Sequence, residues 1–201
     1  MFRYILVSLC IVGLASQVFA QEVEESLSNP TGISSEQELG ISVGAEAGAE
    51  FTPGGLHFGG RHLYQLTQRD WLESIVGVTY GNGGQGCFRN RLGTTDCSFG
   101  STSGFGFEIG ARLRRHFAPV YDFEPFVSAG LHLRAMAFGR DAVRGFAFPA
   151  TGTVGVRYPV QDGVHAVVQS TLRVGLGVYN RDLGWKPHAS LGASMGLEFS
   201  L

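Results

Sequence analysis

Taken at every second position from Glu38 onward, the chain sorts into an apolar set and a polar set, and it does so up to the last residue. In the final stretch Trp185, Pro187, Ala189, Leu191, Ala193, Met195, Leu197, Phe199 and Leu201 share one parity. Lys186, His188, Ser190, Gly192, Ser194, Gly196, Glu198 and Ser200 share the other. A period of two is the strand period, because successive Cβ atoms point to opposite faces of a pleated sheet. Seven earlier segments repeat the pattern, at 39–51, 56–66, 71–80, 105–114, 127–137, 146–158 and 164–178. Segment 56–66 alternates least cleanly, since His62 interrupts the apolar set. The breaks are turns by their chemistry, with Thr52-Pro53-Gly54-Gly55 after the first segment and Gln161-Asp162-Gly163 marking a tight hairpin. Eight strands, most of them longer than the usual five or six residues, make an all-β, up-and-down antiparallel arrangement with an even count.

The remainder of the chain is of a different character. Arg3, an apolar run over 5–14 and the small-residue site Val18-Phe19-Ala20 read as a secretory signal peptide over 1–20. Residues 21–37 are acidic, polar and aperiodic, a flexible N-terminal arm, which leaves 38–201 as one domain. No later segment approaches the roughly 20 consecutive apolar residues a spanning helix needs, so any membrane insertion must use strands. The net charge of -2 and the lack of a clustered basic segment exclude nucleic acid as a partner. Cys10 leaves with the signal peptide, and Cys87 and Cys97 remain in a Gly-rich loop. In an exported chain that pair is expected to form a disulfide, a closure that contributes about 3 kcal/mol in the chain-entropy model. Neither cysteine has companions at zinc-ligand spacing, so no metal and no cofactor is expected.

Alternation does not say which face points inward. A soluble ligand-binding barrel needs a well-charged outer face, yet only 16% of these residues are charged and the polar parity is mostly Gly, Ser and Thr. Such a face is poor cladding for water and good filling for a narrow barrel. The apolar parity is therefore assigned to lipid, and the fold class is an eight-stranded antiparallel transmembrane β-barrel. Unpaired charges inside would each cost several kcal/mol. A compensated lumenal network is thus expected from Glu46, Glu50, Glu73, Glu108, Arg112, Arg114, Arg134, Arg157, Arg173 and Glu198. His132 and His165 are expected to hydrogen-bond within it. Aromatics near segment ends, namely Phe51, Tyr64, Trp71, Tyr80, Phe117, Phe126, Phe138, Phe146, Tyr158, Tyr179, Trp185 and Phe199, are expected to form interface girdles.

With its signal peptide, eight alternating segments, asymmetric loops and alternating final strand, the chain resembles the small eight-stranded outer-membrane barrels of Gram-negative bacteria. That group includes OmpX-like proteins and the barrel domain of OmpA. The resemblance implies outer-membrane localisation, both termini in the periplasm, and recognition of the last strand by the outer-membrane insertion machinery. It also implies a monomer in contact with outer-membrane lipid and lipopolysaccharide. Eight strands leave an interior just filled by side chains, so the expected role is presentation of extracellular loops, for surface interaction or envelope integrity, toward an unidentified extracellular ligand. Arg89, Arg91, Arg140 and Arg144, on two such loops, are candidate lipopolysaccharide contacts through bidentate hydrogen bonds to phosphate. No enzymatic activity is expected. Two alternatives stand beside this reading. One is a lipid A deacylase-like enzyme built on His188-Ala189-Ser190, although Glu198 lies about 27 Å along the strand from Ser190 at a rise of about 3.4 Å per residue. The other is a secreted lipocalin-like carrier of small hydrophobic molecules.

Overall fold

The computed structural model describes residues 36–49, 51–82, 86–89, 94–98, 103–138, 143–180 and 183–201, and of residues 82, 86–89, 95–98 and 103 the backbone alone. The sequence-expected signal peptide and most of the N-terminal arm lie outside the described residues. Among the described residues ten strands follow in order: β1 (Gln37–Gly48), β2 (Gly55–Gln65), β3 (Asp70–Asn82), β4 (Gly86–Arg89), β5 (Thr95–Ser98), β6 (Ser103–His116), β7 (Glu124–Phe138), β8 (Val143–Gln161), β9 (Val164–Tyr179) and β10 (Gly184–Ser200). Eight of them close into a barrel in the order β1-β10-β9-β8-β7-β6-β3-β2, every neighbouring pair antiparallel. The seam between β1 and β10 runs from Glu38 opposite Ser200 to Gly48 opposite Ser190, and Leu201 donates its N–H to the carbonyl of Gln37 at 2.9 Å. Closure leaves the barrel no unpaired sheet edge, the condition for strands to cross a bilayer.

Side-chain direction follows the sequence parity. Leu39, Ile41 and Val43 on β1, Leu131 and Leu133 on β7, Leu172, Val174 and Leu176 on β9, and Leu191, Met195 and Leu197 on β10 all face outward and are exposed, Leu131 to 71%. The opposite parity, with Glu46, Glu73, Glu108, Arg114, Arg134 and Glu198, is buried inside. A water-soluble carrier would enclose the first set and expose the second, so the secreted-carrier alternative is overturned. The irregular β2 keeps an unbroken register with β1 and β3. Its outward His62 lies near the strand end and meets Gln37 Oε1 at 3.1 Å.

The aromatic girdle is smaller than the sequence suggests. Tyr64, Tyr80, Phe146, Tyr158, Trp185 and Phe199 face outward, but Phe51, Trp71, Phe126, Phe138 and Tyr179 are buried. Trp71, Phe126, Phe138 and Tyr179 sit on the inward parity of their strands, alongside Glu73, Ser128 and Gln169, and they cap the lumen instead of flanking it. At the end bearing the termini, His116 lies between Trp71 and Phe126, with ring centroids 6.1 and 5.7 Å away. At the loop end the β1–β2 connection folds inward, so that Phe51, Thr52 and Pro53 are buried. Phe51 packs there with Met136, Phe138, Val143, Ala147 and Tyr179, and the Tyr179 hydroxyl donates to the Phe51 carbonyl at 2.6 Å. Phe51 holds φ at +57° to make this fold-back.

The loop between β3 and β6 contains a two-stranded hairpin, β4–β5, where the sequence suggests irregular structure. Its register sets Cys87 directly opposite Cys97. Directly opposed residues in an antiparallel pair have Cα atoms about 4.5–5.5 Å apart, within the span a disulfide bridges.

Candidate functional site: the ion-paired lumen

Between the two caps the lumen is filled by charge. Among the described residues, six arginines (Arg61, Arg112, Arg114, Arg134, Arg157 and Arg173) face six glutamates (Glu38, Glu46, Glu73, Glu108, Glu124 and Glu198). The formal sum is therefore zero. Alternation explains how they come together, because every one stands on the inward parity of its strand.

Three groups follow one another along the axis. Toward the loop end, Arg134 binds Glu46, with Nη2 to Oε2 at 3.1 Å and to Thr79 Oγ1 at 2.7 Å, while Thr79 donates to the same carboxylate at 3.0 Å. Arg173 approaches Glu46 at 3.8 Å and donates to Glu108 at 2.8 Å. Glu108 also meets His57 Nε2 at 3.1 Å, and His132 Nδ1 stands 3.8 Å from its second oxygen.

In the middle, Arg112 grips Glu73 in two bonds of 2.8 and 3.0 Å, and Arg114 bridges Glu73 at 2.8 Å and Glu198 at 2.7 Å. Arg61 lies 3.8 Å from Glu73 and 3.3 Å from Glu198. Fork-to-carboxylate pairing of this kind is stronger than a neutral hydrogen bond and fixes orientation. At the terminal end Arg157 holds Glu38 through bonds of 3.0 and 2.8 Å, with Glu124 at 3.6 Å and the His165 ring within 2.9 Å. Several links cross the lumen: Glu46 on β1 to Arg134 on β7, Arg114 on β6 to Glu198 on β10, and Glu38 on β1 to Arg157 on β8 join strands that are not neighbours.

Glycines on the same inward face make the room. A Cβ at Gly40 would sit 2.6 Å from Cγ of Arg61, and one at Gly110 would sit 2.4 Å from Cδ2 of His132. Among them lies a cavity of about 30 Å³ bordered by Ser42, His57, Glu108, His132, Gln169 and Arg173 among others. At roughly 10–15 Å³ per water position it suits two or three waters, and no diffusing solute. No helix is long and apolar enough to cross a membrane among the described residues, and no group of potential metal ligands occurs among them.

Of the charges expected from the sequence, Glu46, Glu73, Glu108, Arg112, Arg114, Arg134, Arg157, Arg173 and Glu198 meet in this network, and Glu50 lies outside the described residues. Glu38, Arg61 and Glu124 belong to it as well, and the sequence reading misses all three. Arg61 and Glu38 are on the inward parity, which was the available signal. His57 is lumenal for the same reason. His188 and Ser190 also face inward and are buried, with His188 Nδ1 3.2 Å from Thr52 Oγ1. Acyl chains outside the wall do not reach them. Of the loop arginines, Arg91 and Arg140 lie outside the described residues, and Arg89 is described by its backbone alone. Arg144 is exposed at the loop end, where its backbone N–H donates to Asn180 Oδ1 at 2.9 Å.

No protein-family model matches the chain, and no curated protein matches it in sequence. Solved structures do share its fold. Neisserial surface protein A is 13% identical, over 82% of this chain and 95% of its own, with a TM-score of 0.56. A major outer membrane protein from Thermus thermophilus is 12% identical, over 84% and 100%, with a TM-score of 0.57. The outer membrane protein OprG from Pseudomonas aeruginosa is 8% identical, over 83% and 96%, with a TM-score of 0.54. An apolar exterior suited to lipid, a neutralised ionic interior and this shared architecture together give the chain the fold of a small eight-stranded transmembrane β-barrel, the fold that these outer-membrane proteins share.

Proposed function

We propose that the barrel is a closed, non-enzymatic anchor that holds the β3–β6 loop at the cell surface for interaction or envelope integrity. The observation that carries this reading is that both lumen mouths are capped, by Phe51 and Tyr179 at one end and by Trp71, His116 and Phe126 at the other. Between the caps the charges are paired, which leaves no path for a solute. The surface that differs most from a minimal barrel is then the loop carrying β4 and β5. In this reading a Cys87–Cys97 disulfide staples the hairpin, and Arg89, Arg91, Arg140 and Arg144 engage lipopolysaccharide phosphates. Catalysis by His188 and Ser190 is disfavoured by their lumenal burial.

Planar-bilayer recording tests the closed lumen. No large, stable conductance steps are expected, and their appearance would overturn the anchor reading. For the loop, Arg89→Ala combined with Arg91→Ala is expected to weaken lipopolysaccharide binding without altering heat-modifiable gel mobility; unchanged binding removes that partner. Mass spectrometry of lipid A from expressing and null cells is expected to show the same acylation.

A further inference from the structure

Beyond the barrel wall, the connection between β6 and β7 at the terminal end has no assigned role. It is a small hairpin of its own, in which Val120 and Phe123 exchange backbone hydrogen bonds of 2.8 and 3.2 Å, with Tyr121 and Asp122 at the tip. Tyr121 is 93% exposed and holds φ at +57°. The first central position of a tight hairpin turn with positive φ normally falls to glycine. A bulky ring there is a strained choice, and nothing in the described chain covers it.

The placement of this turn is not arbitrary. Position 123 continues the outward column of β7, Pro125, Val127 and Ala129, and the Phe123 ring packs at a tilt against Tyr158 of β8 with ring centroids 5.4 Å apart. Tyr158 in turn belongs to the lipid-facing column of Val154 and Val156. Val120 and Val160 are exposed alongside. The apolar exterior therefore runs without a break off the end of the strands and onto the hairpin, with Tyr121 as its last member. A tyrosine combines an apolar ring with a polar hydroxyl, the chemistry of the bilayer boundary.

We propose that the Val120–Phe123 hairpin is an interfacial hook whose Tyr121 ring sits in the phospholipid headgroup layer of the leaflet on the terminal side. The occupant is lipid because the patch is continuous with the lipid-facing wall. A periplasmic protein or glycan partner would leave the ring in water in a pure lipid membrane.

Tyr121→Trp, reconstituted in phosphatidylcholine vesicles, tests this against the parent protein, whose Trp71 and Trp185 emission is subtracted. The added tryptophan is expected to lose most of its emission to lipids brominated near the headgroup, less to lipids brominated deep in the chain, and little to aqueous iodide. Strong iodide quenching with no effect of either brominated lipid overturns the proposal, and so does quenching dominated by the deep probe. Hydroxyl-radical footprinting of the unsubstituted protein in the same vesicles covers the case in which the variant misfolds. Tyr121 is expected to be oxidised far less than its exposure in the protein alone predicts; full oxidation refutes the hook.

Discussion

Replacing Glu73 by alanine removes the carboxylate on which the middle of the lumen turns. Its oxygens accept from Arg112 at 2.8 and 3.0 Å and from Arg114 at 2.8 Å, and Arg61 stands 3.8 Å away. The Glu73 and Arg114 side chains are wholly buried and the Arg61 and Arg112 side chains nearly so. Without Glu73, Arg61 and Arg114 keep Glu198 as their near carboxylate, while Arg112 keeps only the Thr153 hydroxyl, at 2.6 Å. Removing one member of a buried ion pair costs about 3–5 kcal/mol, and three partners place this case toward the upper end. At about 1.4 kcal/mol per decade that is roughly a thousandfold in the unfolding equilibrium. The measurement is urea unfolding of the refolded barrel in phospholipid vesicles, with the folded fraction read from heat-modifiable gel mobility. Glu73→Ala paired with Arg112→Ala restores neutrality, so the double variant should lie closer to wild type than the sum of the single losses, by about 1–3 kcal/mol. A Glu73→Ala loss below about 1 kcal/mol, or simple additivity of the pair, would refute the view that the lumen is an electrostatically balanced core.

Three further outcomes follow from the same structure. Leu131→Arg, at the middle of β7 and facing outward, is expected to cost about 2–4 kcal/mol in a bilayer, whereas a water-facing site would tolerate it; the same vesicle titration measures it. Gly110→Val places atoms where His132 lies, at 2.4 Å for the Cβ alone, and overpacking of this kind costs about 1–3 kcal/mol, read as a lower urea midpoint at unchanged slope. Alkylation of the oxidised, exported protein by iodoacetamide is expected to leave Cys87 and Cys97 unmodified until reductant is added, with intact-mass spectrometry as the readout.

The barrel was legible because one rule, alternation, governs almost every barrel strand, and the length of each barrel strand suits a membrane crossing. The lumenal network was legible where a charge stood in a clean alternating run, as at Glu108, Arg112 and Arg114. Arg61 stood on the polar face but was harder to assign to the network because β2 breaks the pattern with His62 on the apolar parity, and beside Arg61 the apolar Leu63 faces inward and is fully buried. The lumen caps defeated the aromatic reading for a related reason. Position near a strand end is shared by girdle and cap, and only parity separates Trp71 and Phe126 from Tyr80 and Tyr158. Phe51 stands outside any parity argument, since it belongs to a connection that folds back into the mouth. The hairpin β4–β5 was hidden by glycines that weaken a strand signal without forbidding pairing.

The pairing of charges across non-neighbouring strands bears on how the protein is assembled. Glu46 meets Arg134, and Glu38 meets Arg157, only once the ribbon has curled far enough for β1 to face β7 and β8. An open intermediate therefore carries solitary ions along one side, which water solvates readily and hydrocarbon does not. Such a ribbon is held back from burying itself in the bilayer until β1 and β10 join, so sealing the cylinder and surrendering its hydration become a single concerted event.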